Sequence, residues 1–278
     1  MREQFFKTLE RMFAEDDKIV LVLGDLGVYT ARNLFRDYPT RVFNIGICEQ
    51  ASISFCAGLA KEGFKPIFYS IAPFAVERCL EQIKIDVGYQ NLGVSIVSTG
   101  ASYDYASLGC THHCPADVEV MLSIPNMTVL TPGSLQDVDY DFQELHGERP
   151  LYMRLSETYH DINAIHNCPI GPSRLNTDKY IIAIGTTLDI AMDVKGLVDA
   201  MVIYCKKLPF NKRLNGKVAV LEPFYEGTTS RFIFGKEVLH IGVPRRFLTD
   251  YGTKEEHDFA CGLDEFNVRE KLKAFFND

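Results

Sequence analysis

Apolar residues recur along this chain in two alternating rhythms. From Met1 to Glu15, Phe5, Phe6, Leu9 and Phe13 fall at helical spacing, the pattern of an amphipathic helix. Lys18–Gly24 is a short apolar run closed by glycine and predicts a buried strand; Arg41–Asn44 predicts a second. Small and apolar residues over Glu49–Lys61 keep helical spacing until Gly63 ends them. Pro66–Ser70 reads as a strand, Pro73–Val87 as a helix with proline in its first turn, and Val94–Ser98 as a strand. A helix over Pro115–Ser123, a strand over Thr128–Thr131, a helix over Leu135–Leu145 capped by Ser134 and a strand over Leu151–Leu155 complete the first half.

The rhythm lapses between Glu157 and Lys179, around Pro169, Gly171 and Pro172, which marks an interdomain linker. It then restarts. Tyr180–Gly185, Met201–Tyr204, Val218–Leu221 and Val238–Ile241 predict strands. Leu188–Ala200, Glu255–Cys261 and Val268–Phe276 predict helices, and Ser230–Phe234 a short one. The expected organisation is a first domain over 1–158, a linker over 159–178 and a second domain over 179–278. Strands alternating with helices predict an α/β protein of two domains, each a largely parallel sheet flanked by helices.

Composition narrows the class. The 278 residues are 46% hydrophobic and 24% charged, which is globular rather than disordered. With 37 acidic against 29 basic side chains the formal charge is -8, unsuited to a nucleic-acid backbone or an anionic membrane surface. No apolar run approaches the ~20 residues of a membrane span, and the first helix lacks the pattern of a signal peptide, so a cytoplasmic location is expected. Eight cysteines are scattered without CxxC spacing. Cys110-Thr111-His112-His113-Cys114 holds four ligand-type side chains, but ligands so crowded on one segment rarely all reach one ion, and no metal is assigned.

The sharpest chemical feature is Phe43-Asn44-Ile45-Gly46-Ile47-Cys48-Glu49-Gln50, where a strand ends, a glycine turns the chain and a carboxylate opens an apolar helix. Alone, Glu49 reads as a helix-start acid favoured by the dipole. Its neighbours change that. Asn44–Gln50 followed by Ala57-Gly58-Leu59-Ala60-x-x-Gly63 resembles the pyrimidine-binding domain of transketolases. So do Phe74, Arg78 and Glu81-Gln82-Ile83-Lys84 in that order, Gly109-Cys110-Thr111-His112, Ile124-Pro125-Asn126-Met127 leading to Thr131-Pro132, and Gly24-Asp25-Leu26. The resemblance covers residues 18–158 well and the second half more loosely, where Gly242-Val243-Pro244-x-x-Phe247 and Gly262-Leu263-Asp264 look like the end of 1-deoxyxylulose-5-phosphate synthase.

The resemblance implies thiamine diphosphate as cofactor, with Asp25, Glu49, Phe74 and Arg78 binding it. Glu49 would share a proton with the aminopyrimidine and so turn that ring into the base that activates the thiazolium. Phe74 would stack on the pyrimidine, and His112 would donate a hydrogen bond to a developing alkoxide. Plainer readings stay open: core packing for Phe74, a backbone-satisfied loop residue for His112, a turn residue for Asp25. The family's Gly-Asp-Gly motif with its later asparagine has no counterpart, Gly24-Asp25-Leu26-Gly27 being different. The diphosphate and Mg2+ are therefore expected on a separate partner subunit. A homodimer of this chain within a heterotetramer is implied, with the second domain as dimerisation module and Glu222 as a structural carboxylate.

Three departures bear on substrate. The family's histidine after the strand Val94–Ser98 falls on Gly100, its hydroxyl-binding aspartate on Leu108, and its phosphate-gripping arginine on Glu157. A carboxylate repels a phosphate where a guanidinium pairs with it. The expected chemistry is transfer of a two-carbon ketol unit to an aldehyde or sugar acceptor that is not an ordinary sugar phosphate, with Tyr103, Asp104, Tyr105 and His113 available to contact it. Arg154 lies close by but is not given the phosphate role. Two alternatives remain: the beta chain of a 2-oxo-acid dehydrogenase or a pyruvate-using carboligase, and a non-catalytic structural partner.

Overall fold

The computed structural model describes residues 1–170 and 178–277. Six strands of the first half, β1 (Ile19–Leu23), β2 (Val42–Asn44), β3 (Lys65–Ile71), β4 (Ser95–Thr99), β5 (Thr128–Leu130) and β6 (Leu151–Arg154), run parallel. In the second half β7 (Pro169–Ile170) precedes β8 (Lys179–Ile184), β9 (Met201–Cys205), β10 (Lys207–Leu208), β11 (Lys212–Arg213), β12 (Lys217–Tyr225), β13 (Ile233–Phe234) and β14 (Glu237–Val243). The first sheet has the order β10-β5-β6-β4-β3-β1-β2, the second β14-β12-β8-β9-β7. Among the described strands, only β10 and β7, each two residues at a sheet edge, pair antiparallel. All of β1 and β4 is buried, as parallel strands covered on both faces require.

The helices are α1 (Arg2–Glu15), α2 (Arg32–Asp37), α3 (Glu49–Lys61), α4 (Ala72–Ala75), α5 (Leu80–Gln82), α6 (Asp117–Leu122), α7 (Leu135–Leu145), α8 (Leu188–Val198), α9 (Lys254–Cys261) and α10 (Glu265–Asn277). Helix α1 buries Phe5, Phe6, Leu9 and Phe13 on one face of the first sheet. The other face belongs to a core that continues from Val20, Ile53 and Phe68 through Val118 and Met121 to Ile182, Ile203, Val218 and Phe224. The two sheets thus share one apolar interior.

Two expected elements differ. Pro73–Val87 is not one helix. After α4 the chain turns through Val76–Cys79, makes one short turn as α5, and widens into a π-helical turn over Ile83–Gly88. The amide of Arg78 reaches the Pro73 carbonyl at 3.1 Å, and the Cys79 thiol donates to the Phe74 carbonyl at 3.2 Å, both five-residue steps. Ser230–Phe234 is a turn followed by β13, because Ile233 is buried and its segment pairs in parallel with β11. Part of the expected linker, Pro169–Ile170, joins the second sheet as β7, whereas Gly171 and Pro172 lie outside the described residues. No described helix is long and apolar enough to cross a membrane.

Candidate active site

Glu49 is the first residue of α3 and only 1% exposed. Asn44 at the end of β2 sets it there. The Asn44 amide oxygen accepts from the backbone N–H groups of Asp25 and Gly46, both at 3.1 Å, and its Nδ2 donates to the Asp25 carboxylate at 3.0 Å. This ties the end of β1 to the turn into α3, with Asp25 at φ 58° and Gly46 at φ 80°. Glu49 passes close over Gly24, where an added Cβ would stand 3.4 Å from Glu49 Cγ and 3.1 Å from the Ser70 hydroxyl, which has no hydrogen-bond partner among the described residues. Asp25 itself is exposed and braces this turn. Cys48 is the exposed N-cap residue of this helix.

Arg78 completes the cluster. Its Nη1 donates to Glu49 Oε2 at 2.7 Å, and its guanidinium lies 4.2 Å from the Phe74 ring centroid. The Phe74 ring meets the edge of His112 at 5.4 Å between centroids, and His112 Nδ1 is 3.0 Å from the Thr111 hydroxyl. Glu49, Phe74, Arg78 and His112 therefore form one chain of contacts. A buried carboxylate next to a half-buried aromatic face suits a flat heteroaromatic ring that needs both a hydrogen-bond partner and a stacking surface. Those residues fit the pyrimidine of thiamine diphosphate.

Tyr103, Asp104 and His113 face elsewhere, into the seam between the two sheets. The Tyr103 hydroxyl donates to Asp258 at 2.6 Å, and His113 stands edge-on to His257 at 5.3 Å between centroids. Burial, with the neighbouring imidazole of His257 second, lowers the pKa of His113. The Asp104 carboxylate accepts from the Ser156 hydroxyl at 3.1 Å and the Glu157 amide at 3.0 Å, yet burial outweighs these and raises its pKa. Tyr103 and Asp104, together with Arg154, Asp189, Lys254 and Asp258, line a cavity of about 200 Å³. Tyr105 lies over Gly100, whose φ is 78° and where an added Cβ would come within 2.5 Å of the Tyr105 ring. Gly100 thus has no room for the histidine of the transketolase pattern.

Other residues of the seam carry no local signal in the sequence. Arg154 and Asp117 form a buried ion pair at 2.7 Å, and Arg154 also donates to Ser102 and to the Pro223 carbonyl. His257, Asp258 and Lys254 come from α9, more than 140 residues beyond His113. Glu222 accepts from the Gly227 and Thr229 amides, the Thr229 hydroxyl and His240, so its carboxylate organises a loop.

Comparison with known proteins accords with this geometry. The chain is 32% identical to a 33.6 kDa protein of the fasciation locus of Rhodococcoides fascians, covering 98% of this chain and 93% of that one. It is 26% identical to 1-deoxy-D-xylulose-5-phosphate synthase 1 of Geobacter metallireducens over 98% of this chain, and spans 48% of that relative's length. It is 34% identical to one of the subunits of an apulose-4-phosphate transketolase from Phocaeicola vulgatus, over 47% of this chain and 42% of that one. Among solved structures, a split-gene transketolase described as an inactive beta4 tetramer superposes with a TM-score of 0.79 at 23% identity, covering 99% of this chain and 97% of that one, which shows a common fold. Residues 1–159 match the transketolase pyrimidine-binding domain, and the chain belongs to that family.

Proposed function

We propose that this chain is the pyrimidine-binding subunit of a two-chain, thiamine-diphosphate-dependent transferase of the transketolase type. The observation that carries this reading is Glu49, buried at the start of α3 with the Phe74 face and Arg78 beside it. When bound, the cofactor supplies a carbon nucleophile able to cleave and form carbon–carbon bonds next to a carbonyl. Glu49 holds the proton shared with the pyrimidine nitrogen, Phe74 supports the ring from one face, and Asp25 with Asn44 fixes the turn that aims Glu49. His112, in contact with Phe74, is placed to donate a hydrogen bond to oxygen developing negative charge.

The reading assigns the diphosphate and Mg2+ to a partner subunit carrying Gly-Asp-Gly and a later asparagine, in a heterotetramer built on a dimer of this chain. The Phocaeicola vulgatus relative is named as one subunit of a transketolase, which supports such a partner. Exposed apolar side chains support it too: Ile47 beside Glu49, Leu80 beside Arg78, and Phe55, Ile85 and Tyr89 on the adjoining α3 and π-turn. The reaction proposed is transfer of a two-carbon ketol unit to an aldehyde or sugar. The exposed carboxylate of Glu157 supports an acceptor other than an ordinary sugar phosphate. The likeness to 1-deoxy-D-xylulose-5-phosphate synthases along nearly the whole chain favours one second reading, a carboligase with a keto-acid donor.

Co-expression with a neighbouring Gly-Asp-Gly subunit, followed by thiamine diphosphate titration and turnover assays, tests the proposal. The complex should bind the cofactor, and Glu49→Gln should cut turnover by about 100-fold or more, the scale of lost acid–base participation. Full activity of the isolated chain, or an undiminished rate in Glu49→Gln, overturns it. A preference for phosphorylated over unphosphorylated acceptors removes the substrate proposal alone.

A further inference from the structure

Arg78 already does to Glu49 and Phe74 what a pyrimidine ring would do. Its guanidinium is planar, it donates an N–H to Glu49 Oε2 at 2.7 Å, and it lies 4.2 Å from the Phe74 centroid. A flat ring that hydrogen-bonds Glu49 and stacks on Phe74 needs the same space and the same two partners. At the Glu49 oxygen and the Phe74 face that Arg78 holds, the two compete. Glu49 is almost wholly buried, whereas the Arg78 side chain is 37% exposed, so the arginine has an outward path and the carboxylate does not.

We infer that Arg78 is a gate that closes the pyrimidine site of the unliganded chain, taking the place of the ring until the cofactor displaces it. The inference rests on Glu49 and Phe74 being the ring's partners, as proposed above, and replaces the cofactor contact that the family resemblance implies for Arg78. The closed arrangement has a physical purpose. A buried carboxylate with no partner is costly, and Arg78 supplies one until the ring arrives. The consequence is a tax on affinity. Only the fraction of molecules with Arg78 swung out is competent to bind, and the apparent dissociation constant rises by the inverse of that fraction.

The sign of this effect separates a gate from a structural arginine. Losing a structural residue weakens ligand binding; losing a gate tightens it. The test is an NMR titration of the purified chain with thiamine, which carries the pyrimidine but no diphosphate and so needs no partner for its tail. Arg78→Met keeps an apolar stem over Phe74 and removes the guanidinium. It should bind thiamine about tenfold or more tightly than the natural chain, a gating population of about one in ten. Arg78→Gln, which keeps a donor for Glu49 without the charge, should tighten binding by less and serves if the methionine variant folds poorly. Adding Glu49→Gln to either variant should abolish the gain.

If Arg78→Met and Arg78→Gln bind thiamine no better than the natural chain, while Glu49→Gln weakens binding in all three, the gate is refuted and the pyrimidine site stands. If Glu49→Gln changes thiamine binding in none of them, the assignment of the site fails and the gate with it.

Discussion

His146 is 6% exposed, with Nδ1 at 2.9 Å from the Ser95 hydroxyl and its ring stacked on Phe142 at 5.2 Å. Its Nε2 finds no partner among the described residues. Burial, with Lys65 adding a smaller push, lowers its pKa from 6.5 to about 4. The folded chain therefore resists a proton that the unfolded chain takes up at pH 6.5. The stability this contributes is complete above that value and is lost as the pH falls from 6.5 toward 4, amounting to about 3 kcal/mol. His166, also lowered to about 4 by burial and then by Lys206, acts in the same window. Urea unfolding between pH 7 and pH 4 should show stability falling steadily. His146→Asn should flatten that fall while lowering stability at pH 7. A slope unchanged by this substitution would mean that the other histidines account for it. Single residues also show where the substrate-related departures come from. Gly100 is small because Tyr105 covers it, whereas Leu108 and Glu157 are exposed and remain available to a ligand or partner.

Helix α7 shows how an element is fastened at its start. Ser134 accepts from the Asp137 amide at 3.1 Å, while the Asp137 carboxylate accepts from the Ser134 amide at 3.0 Å, forming a capping box. Asp137 also accepts from the Tyr204 hydroxyl at 2.6 Å and Lys206 Nζ at 2.8 Å, which come from β9 and the residue after it. Ser134→Ala should therefore cost about 1 kcal/mol, the usual worth of a cap. Asp137→Ala should cost distinctly more, because it leaves the buried Tyr204 hydroxyl without its acceptor and Lys206 with Asp141 alone. Denaturant midpoints of the two variants compare them directly, and equal losses would reduce Asp137 to a cap. The Ser134 cap was legible in the sequence because capping is local, as were the parallel strands, whose apolar runs need no distant partner. The Pro73–Val87 break was not. It depends on Ile124 lying against Gly88, where an added Cβ would stand 2.5 Å away. The two-residue edges β7 and β10 are likewise defined only by the strands they join. Glu49, Phe74 and His112 were legible as a motif; the pairing of Tyr103 with Asp258 and of His113 with His257 depends on tertiary contact alone.

At the scale of the whole molecule, the two sheets are joined through a common core. One apolar cluster runs from Val20 and Phe68 to Val218 and Phe224, and β10 of the second half completes the first sheet. The polar side of the seam is centred on Arg154, which bonds Asp117 and Ser102 of the first half and the Pro223 carbonyl of the second, all within 2.8 Å. Asp117 is fully buried and, among the described residues, keeps the Tyr152 hydroxyl and its neighbouring Val118 amide if the guanidinium is removed. Breaking a buried pair from one side is more damaging than replacing both partners, because a charge is left without compensation. Arg154→Met should thus lower unfolding stability by about 3–5 kcal/mol. Since the shared core couples the halves, fluorescence and circular dichroism should follow one coincident transition in the natural chain. The variant should shift that transition as a whole. A variant in which the second sheet melts first while the first sheet keeps its natural midpoint would instead make the seam a docking contact between separately stable domains, with the Glu49 site independent of everything beyond residue 178.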